Sequence, residues 1–129
     1  MAHPNEDLVG RGFAAFGTGD MATLDRLFAD DIVWHAGGRS QISGDYTGKP
    51  AVFALFAKIA ELADGTFRVD VHDVVANDEH AVALVTTTGT RGGRTLDQHA
   101  AQVFHVRDGR VTESWFHTAD QYASDEFWG

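Results

Sequence analysis

The chain contains no cysteine, which excludes disulfides, thiol nucleophiles and cysteine-based metal sites. Basic residues are also scarce: ten Lys and Arg stand against 19 Asp and Glu, for a formal charge of −9. Nucleic acids and anionic membrane surfaces both require a basic footprint, so neither is an expected partner. No apolar run approaches the roughly 18 residues of a membrane span, and the opening MAHPNEDLVG has no basic segment followed by an apolar stretch. A cytoplasmic protein is expected. Internal repeats, low-complexity tracts and linkers are missing too, as are His-x-His and His-Glu-x-x-His spacings. No metal or other cofactor is expected.

What the chain does have is core-forming material. Of its 129 residues 43% are hydrophobic, and nine Phe and three Trp contribute to an aromatic content of 11%, too rich for disorder. One core in one domain spanning residues 1–129 is the economical reading.

Hydrophobic periodicity places a first helix over Asn5–Phe16, with Val9, Phe13 and Phe16 on one face and Gly17–Gly19 stopping it. Asp20 suits the N-cap of a shorter second helix carrying Met21, Leu24, Leu27 and Phe28. A strand follows over Asp31–Ala36, then a loop marked by Gly37, Gly38 and Gly44. The third helix begins at Pro50 and runs to Ala63, apolar enough to be buried on more than one side. From Thr66 the period changes to two. Strands are expected over Thr66–Asn77, His80–Arg91, Arg94–Arg107 and Arg110–Ala119, joined by short hairpin turns. The quick change from helix to strand and back between Leu27 and Pro50 marks the mouth of a pocket.

The helix-ending FGTGD at Phe16–Asp20, the run LFADDIVWH at Leu27–His35, the helix entry SGDYTGKPAV and the final DGRVTESWFHTADQY carry a resemblance. The chain is identified as a member of the nuclear transport factor 2-like superfamily, in the SnoaL-like branch that also holds ketosteroid isomerase relatives. The resemblance covers nearly the whole chain. It implies an α+β cone-shaped roll, in which a strongly curved, mixed but mostly antiparallel sheet and three helices from the N-terminal half enclose an apolar pocket. It also implies a homodimer through the outer face of the sheet. Function is left open, because this scaffold hosts isomerases, cyclases, dehydratases, epoxide hydrolases and plain binding proteins.

Set against ketosteroid isomerase, the proton-shuttling Asp position is His35, the oxyanion-hole Tyr position is Phe13 and the protonated Asp position is Gln102. All three depart from the pattern, so steroid isomerisation itself is not implied. His35 still titrates near neutral pH, and Gln102 offers an amide N–H to an oxygen that gains charge. Polyketide cyclases of the SnoaL-like kind use an Asp at the end of the last strand, for which Asp120 is the nearest candidate. His35, Gln102 and Asp120 are therefore the catalytic candidates. Phe13, Trp34, Tyr46, Phe56, Phe104, Ser114 and Phe116 are the candidate substrate contacts.

Bland readings stand beside these. His35 fits a satisfied interior histidine, Gln102 a structural hydrogen bond and Tyr46 simple packing. On the last strand Trp115 and Phe116 point to opposite faces, and the resemblance implies Ser114, Phe116 and Thr118 inside, with Trp115 and His117 outside. Asp30 and Asp31 read as solvent-facing residues after a helix. The aromatic tail Tyr122–Trp128 either covers the opening or packs on a partner subunit. Two functions follow: a cofactor-independent isomerase, cyclase or dehydratase using His35 as acid or base on an apolar carbonyl or polycyclic substrate, or a non-catalytic binding module for an apolar small molecule.

Overall fold

Pro4 opens the first helix, α1 (Pro4–Thr18), where its missing N–H deprives nothing of a partner. The computed structural model describes residues 3–129. His3 caps α1 with Nδ1, which accepts the Asn5 N–H at 3.0 Å. Gly19 ends it at φ +71°, a conformation that favours glycine. Asp20 then caps α2 (Met21–Leu27), accepting the Thr23 N–H at 3.1 Å. The chain passes without a loop into β1 (Phe28–Ala36), turns through a Gly- and Ser-rich segment to β2 (Gly44–Thr47) and enters α3 (Lys49–Leu62). Four long strands follow: β3 (Arg68–Ala76), β4 (His80–Arg91), β5 (Arg94–Arg107) and β6 (Arg110–Thr118). A last helix, α4 (Gln121–Trp128), closes the chain.

The six strands form one sheet in the order β2-β1-β6-β5-β4-β3. Only β1 and β6 run parallel; the other pairs are antiparallel. Register shifts at Phe28/Val33, Val71/Asp73 and His105/Val106 add local twist, and the sheet curls without closing. The β4–β5 hairpin turns on Gly92 and Gly93, and the β5–β6 hairpin on Asp108 and Gly109, all at positive φ as tight two-residue hairpins require.

Helices α1, α2 and α3 pack into the concave side, where Leu8, Leu24, Ile32, Val52 and Leu55 are buried. Aromatic rings meet edge to face, Phe56 lying 5.2 Å from Phe16 and 5.1 Å from Trp34. A smaller cluster of Ala63, Leu96, Phe127 and Trp128 seats α4 at the other end of the cone. No helix among the described residues is long and apolar enough to cross a membrane.

Three expectations need correction. β2 lies inside the stretch read as loop; its four residues are too short and too Gly-rich for a periodic signal, and pairing with β1 makes them a strand. The tail from Tyr122 is part of a fourth helix, started by Asp120, whose side chain accepts the Ala123 N–H at 3.1 Å. Finally, α3 is buried along one stripe only, since Ala54, Ala57 and Ala60 face solvent. There alanine serves helix propensity rather than packing.

Candidate functional site

Neighbouring residues on a strand point to opposite faces, so each strand contributes alternate side chains to the inside of the cone. One inner row reads Ala83, Gln102, Phe116, Ala36 across β4, β5, β6 and β1. The alanines at either end supply little volume, and the helices do not fill what they leave. The result is a cavity of about 120 Å³. It is of the order of the ~150 Å³ apolar cavity that takes up benzene. Phe13 and Phe16 of α1, Trp34 of β1, Phe56 of α3, Phe104 of β5 and Phe116 of β6 form much of its wall. No Asp, Glu, His, Lys or Arg among the described residues lines it.

Its polar groups are neutral. Gln102 is 4% exposed, and its Nε2 donates to Ser114 Oγ at 3.0 Å. That bond uses one of the several the amide can make, and no other partner for it occurs among the described residues. The remaining amide capacity belongs to the cavity. Ser114 is fully buried behind Gln102 and orients it without lining the cavity itself. Thr118 of β6, Gln121 and Ser124 of α4 and Ser40 of the glycine-containing loop add further neutral polar groups to the lining.

His35 is not part of this site. On β1 it follows Trp34 and points to the convex face, where Nδ1 donates to Asp45 Oδ1 and Nε2 to Glu113 Oε2, each at 2.6 Å. Its ring stacks on Trp115 at 5.1 Å and 18°. Glu113 and then Asp45 raise its pKa above the ordinary imidazole value, because a ring donating from both nitrogens carries a charge that two carboxylates stabilise. The expectation that placed His35 in the pocket fails on strand parity. Trp34 and His35 cannot both face inward.

Besides His35 and Ser114, two other candidates also stand apart from the cavity. The carboxylate of Asp120 caps α4 and is absent from the lining. Tyr46 donates its hydroxyl to the Ile42 carbonyl at 2.8 Å, bracing the loop between β1 and β2; burial raises its pKa. Phe13, Trp34, Phe56, Gln102, Phe104 and Phe116 do line the cavity. On β6 the inward residues include Ser114, Phe116 and Thr118, while Trp115 and His117 face out.

The stretch Leu27–Pro50 expected at the mouth does contribute Ser40, Ile42 and others to the lining, but Gln121, Ser124 and Trp128 enter it from α4, a helix not expected from the sequence. A signal was there: an Asp N-cap followed by Ser124, Phe127 and Trp128 at helical spacing. Held from both ends, α4 is a strap across the opening. Gln98 Nε2 donates to the Asp120 carbonyl at 3.0 Å, while Arg91 and Arg94 donate to the carbonyls of Phe127 and Glu126 at 3.1 and 3.0 Å.

Comparison with known proteins agrees with this architecture. The SnoaL-like domain model matches residues 9–114. An uncharacterized protein of Mycobacterium tuberculosis is 37% identical over 123 residues, covering 95% of this chain and 94% of its own. Bal32a, from a soil-derived mobile gene cassette, superposes with a TM-score of 0.95 at 40% identity, over 99% of this chain and 98% of that one. IdmH, described as a putative polyketide cyclase from Streptomyces antibioticus, shares the fold at 22% identity and a TM-score of 0.74, over 91% and 92% of the two chains. A curled six-stranded sheet round an apolar cavity, a domain model matching most of the chain and relatives of this similarity place the protein in the SnoaL-like domain family, within the nuclear transport factor 2-like fold.

Proposed function

We propose that this protein binds a small, uncharged, largely apolar molecule inside the cone, and that the lining side chains perform no acid–base chemistry on it. The observation that carries this reading is the lining: aromatic and aliphatic walls, a few neutral amides and hydroxyls with Gln102 buried among them, and no titratable group among the described residues. A charged ligand would lose its hydration there without gaining a counter-ion. The chain's net charge of −9 further disfavours anions. An acid–base enzyme built on His35 is not favoured, since both ring nitrogens are engaged outside the cone.

A second reading keeps an enzyme without a titrating group in the pocket. Here the cavity would fold a flexible substrate and the Gln102 amide would polarise an oxygen during ring formation or isomerisation. The unused hydrogen-bonding capacity of Gln102 favours it, as does the shared fold with a putative polyketide cyclase. Prolonged incubation with ketones, lactones and polyketide-like aromatics, followed by chromatography, separates the two. Ligands recovered unchanged support the binding protein; a product lost in Gln102→Leu supports the enzyme.

The same proposal includes a homodimer through the convex face. Val75, Val82, Val103 and Trp115 form one row across four strands there, and Val75 is 53% exposed. Sedimentation of wild type and Val103→Glu tests it: dimer for the first and monomer for the second.

A further inference from the structure

Ser124 sits on the cavity side of α4, 8% exposed, and its hydroxyl has no hydrogen-bond partner among the described residues. A serine inside a helix ordinarily turns its hydroxyl back to the carbonyl four residues earlier or out to water. Ser124 does not turn back: from it the Asp120 carbonyl receives only the backbone N–H, at 3.1 Å. An open hydroxyl on a buried residue that lines a cavity is free to pair with a group that enters the cavity.

The position is not loose. Asp120 and Gln98 hold the start of α4, and Arg91, Arg94 and Gln41 hold its last carbonyls, the Gln41 amide donating to Trp128 O at 3.2 Å. The hydroxyl is thus presented by a clasped helix whose fastening does not use it. Gln102, also in the lining, is another incompletely paired neutral group.

Resting on the binding reading above, we propose that Ser124 is a second polar subsite and that the ligand is an uncharged ring compound with two oxygen functions. One oxygen meets the Gln102 amide and the other the Ser124 hydroxyl. The cavity volume of about 120 Å³ limits the body between them to about one or two rings. Because Ser124 belongs to the strap over the mouth, such a ligand ties α4 to the sheet.

Calorimetric titration at pH 6.5 with two matched pairs of probes tests this: phenol against hydroquinone, and 2-naphthol against 2,6-dihydroxynaphthalene. In at least one pair the two-oxygen member should bind about five- to tenfold more tightly to wild type, the scale of one added neutral hydrogen bond. Ser124→Ala should erase that advantage while the one-oxygen probe binds as before. Alanine is the best helix former, so the variant keeps α4. An advantage that survives Ser124→Ala, or no advantage in wild type, overturns the subsite while binding of the one-oxygen probes still upholds the pocket. If no probe binds wild type, the pocket reading falls and the subsite falls with it.

Discussion

Trp34 and His35 are consecutive on β1, yet the Trp34 ring lies 5.1 Å from Phe56 inside the cone and the His35 ring 5.1 Å from Trp115 outside it. That parity keeps His35 out of the apolar interior, whose lining holds no titratable side chain among the described residues. It also gives His35 a structural task, linking β2, β1 and β6 through Asp45 and Glu113.

His35→Gln should therefore leave ligand affinity unchanged and alter stability in a pH-dependent way. The folded-state pKa is raised, so the stabilisation is complete below about pH 6.5 and fades as pH rises through the raised value. The variant should melt roughly 3–5 °C below wild type at pH 5.5, about 1 kcal/mol for a partly exposed ion pair, and the two should converge in alkaline buffer. Melting curves across that range are the check.

Phe56 is 8% exposed and touches the rings of Phe16, Phe28, Trp34 and Phe53. Phe56→Ala should cost about 3–5 kcal/mol, the scale for an aromatic deleted from a packed core. Urea unfolding should show a lower midpoint with an unchanged slope.

Gln102→Leu keeps the volume but leaves the Ser114 hydroxyl buried and unpaired. A loss of about 1–3 kcal/mol is expected. The double variant with Ser114→Ala should recover part of it, because both polar partners are then gone. Urea titration of the four proteins completes the cycle.

Gly38 has φ +91°, and a Cβ there would run into the side chains of Asp125 and Gln121 on α4. Gly38→Ala should cost about 1–2 kcal/mol of backbone strain and push the strap outward. Faster amide exchange at residues 121–128, with the central strands unchanged, is the expected signature.

Much of this architecture was legible in the residues. Alternation over β3 to β6, the hairpin pairs Gly92-Gly93 and Asp108-Gly109, and the Asp20 cap each express a local rule that packing left intact. Alternation alone put Trp115 and Phe116 on opposite faces of β6; the family resemblance supplied the inward set of Ser114, Phe116 and Thr118. What stayed hidden depends on contacts distant in sequence. Gly44–Thr47 becomes a strand because β1 offers an edge, and α4 is fastened by partners far off in sequence, among them Arg91 and Arg94, more than thirty residues earlier, which donate to its carbonyls. His35 misled for a different reason: its residue type suggested chemistry, while its neighbour Trp34 had already taken the inward position.

The most direct test of the central claim is nuclear magnetic resonance binding of a panel of neutral ketones, lactones and phenols, with matched carboxylic acids and amines, to wild type and His35→Gln at pH 5.5 and 7.5. The account predicts that neutral compounds alone shift the resonances of cavity residues such as Phe104 and Phe116, equally at both pH values and in both proteins. Binding confined to charged compounds, or turnover of a bound compound that disappears in His35→Gln, would contradict it.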